Sequence, residues 1–94
     1  MDEKDIEIYR QRLEETVKDL VEEGDTVLVE HIRSISSLET VISRTVNGRI
    51  YLLKFVVSLA DIYLTRASLR DIVTMTLNSK RWHDVPKNNP EGEK

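Results

Sequence analysis

Cysteine is absent from the 94 residues, which excludes a disulfide scaffold, thiolate metal sites and a cysteine nucleophile. A reducing compartment fits that absence. Glycine occurs three times and proline twice, with both prolines, Pro86 and Pro90, near the C-terminus. Everything before them should be mostly regular structure. Gly24, Gly48 and Gly92 stand far apart, so no glycine-rich loop is present to cradle phosphates. The two histidines, His31 and His83, are distant in sequence, and neither has a second nitrogen or sulfur ligand at metal-binding spacing. No uninterrupted apolar run approaches the ~18 residues of a transmembrane helix. The opening MDEKDIEIYR is acidic, where a secretory signal needs a basic segment followed by an apolar one. A cytoplasmic protein is the expectation, with no membrane partner.

Seven serines are present, none in a nucleophile-elbow sequence. The densest acids, Glu14, Glu15, Glu22, Glu23 and Asp25, fall on the outer side of a helical pattern, where solvated charge is the ordinary state. The expectation is a chain with no catalytic residue, no cofactor and no metal.

What the chain does have is charge and pattern. Charged residues make up 33% and apolar residues 39%, the mixture of one small globular domain with a thin core. Residues 1–25 carry −6 and the remainder +3. An acidic helix therefore precedes a mildly basic body. Ile6, Tyr9, Leu13, Val17, Leu20 and Val21 recur every three or four residues, which predicts an amphipathic helix over 3–23. Asp2 is placed to cap it, and Gly24 to stop it.

TVLVEHIR at 26–33 and ETVISRTV at 39–46 alternate as strands do. Asn47-Gly48 accepts the positive φ angles of a two-residue type I′ turn. That turn sets the register of 39–46 on the next strand, placing Ile42 opposite Leu53 and Val41 opposite Lys54. Ser58-Leu59-Ala60-Asp61 and Ser68-Leu69-Arg70-Asp71 both have capping-box form. The last helix therefore starts near 59 or near 69, and the apolar arc Leu59, Ile62, Leu69, Ile72, Val73, Leu77 favours one helix over 59–80. A polar, flexible tail is predicted for 83–94, beyond a domain at 1–82. The expected fold is α+β: N-terminal helix, three-stranded antiparallel sheet and C-terminal helix, as a two-layer sandwich.

Two helices can cover only one face of such a sheet. Tyr51, Leu53, Phe55, Val57 and Ile42 point to the covered face, and Val41, Ile50, Leu52 and Val56 to the other. Lys54 is the one cation among the latter. A water-averse second face predicts pairing through the sheet, as a homodimer or as a subunit of a larger complex. Val41, Ile50, Leu52, Lys54 and Val56 are the candidate interface.

A second reading is nucleic-acid binding. Arg66 and Arg70 lie four apart, Lys80 and Arg81 follow, and Trp82 stands beside them as an aromatic on which a base could stack. The net charge of −3 opposes it, and cations near a helix C-terminus also satisfy the helix dipole.

VNGRIYLLKF followed by ASLRDIV resembles the hairpin and helix start of the small dimerising subunit of the KEOPS tRNA-modification complex. Gly48, Leu52, Lys54, Phe55, Arg66, Ala67 and Ser68 carry the likeness, over about a quarter of the chain. It implies a non-catalytic dimer that docks an ATPase-like tRNA-modifying subunit. Two features depart from that family. Its Asn-Ser pair follows its Arg-Ala closely, whereas Asn78-Ser79 comes ten residues after Ser68; and it opens on a strand, where this chain opens on an acidic helix.

Overall fold

The computed structural model describes residues 2–64 and 69–85. Helix α1 (Glu3–Leu20) begins where Asp2 Oδ1 accepts the Asp5 N–H at 3.1 Å, the cap expected from the sequence. It ends at Leu20, short of the expected 23. Val21 is already extended, and a reciprocal turn takes over beyond it. Asp25 N–H donates to the Glu22 carbonyl at 3.1 Å, and Glu22 N–H donates to Asp25 Oδ2 at 3.0 Å. Gly24, at φ 94°, makes that turn possible.

Strand β1 (Thr26–Ile32) follows, then a short 3-10 turn at Arg33–Ile35 and a left-handed Ser36. Strands β2 (Ser37–Val46) and β3 (Arg49–Ser58) are joined by Asn47 and Gly48 at φ 53° and 80°. Their register is the one the turn predicts, with Ile42 opposite Leu53 and Val41 opposite Lys54. Strand β2 starts at Ser37, opposite Ser58 and two residues ahead of the expected 39.

The C-terminal helix comes as two described segments, α2 (Leu59–Leu64) and α3 (Leu69–Ser79). Ser58 Oγ accepts the Ala60 N–H at 3.1 Å, so the first of the two predicted starts is used. Thr65 to Ser68, which include the second cap and Arg66, lie outside the described residues.

The sheet corrects the sequence reading. Among the described residues it has four strands in the order β1-β2-β3-β4, all antiparallel. The added strand, β4 (His83–Val85), pairs with Ile50–Leu52 of β3, where a flexible tail was expected from 83 onward. Local pattern does not create this strand. Arg49 meets Asp84 at 3.1 Å, and Trp82 packs against the core just before the strand begins. Residues 86–94 of the expected tail lie outside the described residues.

The core is one layer of side chains between the sheet and the helices. Leu13 and Val17 of α1 and Val73 of α3 meet Val29, Leu38, Ile42, Leu53, Phe55 and Val57 of the sheet, with Leu59 and Ile62 closing the end. The molecule measures 20 Å along its shortest axis, room for one helix layer on one sheet.

Thr40 stands in the middle of this layer, fully buried, and its hydroxyl has no hydrogen-bond partner among the described residues. Burying an unpaired hydroxyl is unfavourable. Thr40→Val keeps the shape and removes the polar atom. It is expected to stabilise the domain by about 1 kcal/mol, raising the melting temperature by roughly 4–8 °C. Differential scanning calorimetry reads this directly, and a lower melting temperature would show that Thr40 has a partner after all.

One charged cluster is built into the covered side of the sheet. Arg44 sits on β2 two residues beyond the buried Ile42 and points the same way. Its guanidinium donates to Asp25 from Nε at 3.0 Å and from Nη2 at 2.7 Å. The Asp25 side chain is only 3% exposed. Trp82 closes the other side, with the Arg44 guanidinium 4.2 Å from the ring centroid, a cation–π stack.

The Arg44 guanidinium holds the Asp25 carboxyl below the usual aspartate value. A folded pKa lowered in this way contributes stability above the unfolded pKa, about 3.9, and loses it as pH falls through the folded value. Thermal stability should therefore decline as pH drops below about 4. Melts recorded from pH 6 to pH 2 test this. An Asp25→Asn chain is expected to be less stable at pH 6 and to show a flatter decline. An unchanged slope would place the acid sensitivity elsewhere.

Candidate interaction surface

Opposed residues of an antiparallel pair share a face, so the register fixes what the uncovered side of the sheet presents. One row across β1, β2 and β3 is Leu28, Val41 and Lys54; the next is Glu30, Glu39 and Val56. On the other side of the first row lie Thr26, Ser43, Leu52 and, on β4, His83; then Thr45, Ile50 and Val85. All five residues expected at the interface from the sequence fall on this face together. Leu28 is 54% exposed, Val56 50% and Ile50 43%, while Val41 and Leu52 are half-buried among their neighbours.

Sequence reasoning missed two parts of the face. Leu28 was readable from the alternation Val27, Leu28, Val29, once β1 was paired to β2 with Val41 opposite. Val85 was not readable, because it depends on β4. The charges are Lys54, Glu30 and Glu39, and no ion pair or hydrogen bond joins their side chains to another described residue.

The candidate nucleic-acid residues are placed in part. Arg66 lies outside the described residues. Arg70 reaches Asp19 of α1 at 3.9 Å, which ties the acidic helix to α3. Lys80 and Arg81 are exposed. Trp82, the aromatic offered for base stacking, is half-buried and carries Arg44 on its ring.

A cleft of about 580 Å³ opens between α1 and the β1 side, lined by Glu3, Ile6, Glu7, Arg10, His31 and Arg33. Its charges already satisfy one another. Arg10 pairs with Glu7 at 2.8 Å and with Glu14 at 2.9 Å, and Arg33 pairs with Glu3 at 2.7 Å. Arg10 also donates to the Val29 carbonyl at 3.5 Å, a contact to the backbone of the edge strand. His31 stands at the cleft wall, half-buried. No cluster of acids and histidines able to hold a metal occurs among the described residues, and no helix among them is long and apolar enough to cross a membrane.

The chain matches no family model, no curated protein and no solved structure. The likeness to the KEOPS subunit rests on the quoted hairpin and helix-start residues, of which Arg66, Ala67 and Ser68 lie outside the described ones.

Proposed function

We propose that this chain is an assembly protein without chemistry of its own, which works by laying the open face of its sheet on another protein surface. One observation carries the reading: Leu28, Ile50 and Val56, each about half exposed, stand together on one side of one sheet with half-buried Val41 and Leu52 between them. Scattered apolar residues on a surface are ordinary, whereas a contiguous patch marks an interface.

Magnitudes support the reading and limit it. Burying a large aliphatic side chain completely is worth ~1.5–3 kcal/mol, so each half-exposed residue has about 1 kcal/mol still to gain. Association costs at least ~4 kcal/mol of lost freedom. The apolar residues of this face therefore drive binding only when the face is covered as a whole, with its charges answered by the partner.

A photo-activated cross-linker placed at residue 56 or 28, in the native host, tests the proposal. Both positions are expected to yield a covalent adduct with protein on illumination. Ile8, on the outer side of α1 and 53% exposed, serves as the control and should yield none. Adducts at 8 equal to those at 56 and 28 would contradict the reading, as would no adduct at either.

A further inference from the structure

We infer that the occupant of the open face is a second copy of this chain, packed face to face about a two-fold axis that passes between Lys54 and Glu39. The inference rests on the reading of that face as an interface, and adds the occupant and its charge pairing.

Three charges on this face have no partner among the described residues. Glu30 and Glu39 stand directly opposite one another on β1 and β2. Like charges so opposed repel. The cation that could answer them, Lys54, is on β3, opposite Val41 and one row away from Glu39. None of the three pairs with a described residue. The face thus carries two acids and one base side by side, both signs unmet.

A two-fold interface is self-complementary: if residue i of one copy meets residue j of the other, then j meets i. An axis lying in the interface between Lys54 and Glu39 carries each Lys54 onto the partner's Glu39. The pair forms twice, and each Lys54 also offsets the repulsion between the two acids of the opposing row. The same operation brings Val56 over the partner's Val56 on one side of the charged centre, and Val41 and Leu28 over the partner's Val41 and Leu28 on the other, so apolar residues flank it on both sides. Packed sheets stand ~10 Å apart, a gap that a lysine and a glutamate reaching toward each other bridge while the lysine stem lies along apolar neighbours. An unlike partner must supply a matching acid and base at that spacing. A second copy already has them.

The area agrees. Strands of ten residues in β2 and β3, seven in β1 and three in β4 present a flat footprint on the order of 500 Å² at ~3.3 Å per residue and ~4.8 Å per strand. Two such faces, with side-chain relief, approach the ~1,200 Å² at which specific interfaces begin. A reversible dimer follows.

Charge exchange on the purified full-length chain tests the pairing. The wild-type chain is expected to show twice its single-chain mass by light scattering, with dissociation on dilution. Lys54→Glu leaves three acids on the face, and Glu30→Lys with Glu39→Lys leaves three bases. Each variant alone should dimerise at least tenfold more weakly. Mixed in equal amounts at low salt, the two should recover the dimer, with one copy of each by native mass spectrometry. The milder Lys54→Gln should weaken the dimer and flatten its salt dependence, which separates a charge effect from misfolding. A wild-type chain still single at about 100 µM, where an interface of this size should form, would overturn the inference. So would a wild-type dimer whose exchanged variants do not recover on mixing. If the wild type is single while a cross-linker at 56 captures a different protein in cells, self-pairing fails and the interface reading survives; if neither occurs, both fail.

Discussion

A Leu52→Lys chain is expected to lose its assembly while keeping its fold. Leu52 lies near the centre of the open face, opposite Ser43 on one side and His83 on the other, and contributes nothing to the helix-covered core. A lysine there can reach water in the separated chain, so the domain should lose less than about 1 kcal/mol. In the assembly the same ammonium is forced against an apolar surface next to Lys54. Desolvating it without a partner costs several kcal/mol, and each 1.4 kcal/mol is a tenfold loss, so affinity should fall by roughly 100-fold or more. Light scattering measures the assembly and circular dichroism the fold. Global unfolding of the variant would mean that Leu52 belongs to the core, and unchanged assembly would mean that contact is made elsewhere.

The second large effect concerns stability. Arg44→Ala is expected to destabilise the domain by about 3 kcal/mol, the lower end of what removing one partner of a buried ion pair costs. The lower end applies because Arg44 itself is 25% exposed, although its partner Asp25 is not. The substitution leaves Asp25 buried without its cation and takes away the guanidinium stacked on Trp82. For a domain of this size the loss corresponds to a melting temperature lower by roughly 15 °C. Trp82 directly precedes β4, so the amides of 83–85 should lose their protection from hydrogen exchange first. A double-mutant cycle with Asp25→Asn locates the cost. The double variant Asp25→Asn/Arg44→Ala should be no less stable than Arg44→Ala alone. Simple additivity of the two losses would show that the residues act separately.

How far the sequence reaches is visible in these two regions. Asn47-Gly48 fixed the pairing of β2 with β3 because a two-residue turn leaves one register, and a strand's period of two then sorts every side chain to a face. The open face was legible for that reason, down to Lys54 as its cation. The same periodicity points to the buried ion pair. Arg44 falls in phase with Ile42 on the covered side, and a cation on a core-facing position needs a buried acid. Asp25 follows a glycine turn and is the residue that meets it. The fourth strand had no such signal. His83, Asp84 and Val85 are too few and too polar to show alternation, and they are held by Arg49 and β3, both distant in sequence, and by the docking of Trp82 on the core. The early end of α1 has the same origin, since Asp25 is held by Arg44 and its turn with Glu22 ends the helical path at Leu20.

The reading of function rests on the open sheet face being covered in the working protein. Oxidative footprinting in cells of the native host tests this most directly, comparing each residue's labelling rate with its rate in the Leu52→Lys chain. Leu28 and Val56 are as exposed in the single chain as Ile8 and Ile35, at 50–56%, so the four residues form a matched set. Covering of the face requires Leu28, Val56 and Ile50 to be labelled several-fold more slowly in the wild type than in the variant, with Ile8 and Ile35 unchanged. Equal labelling of all of them in both chains would mean that the sheet works with its second face open to water, and the assembly reading would be wrong.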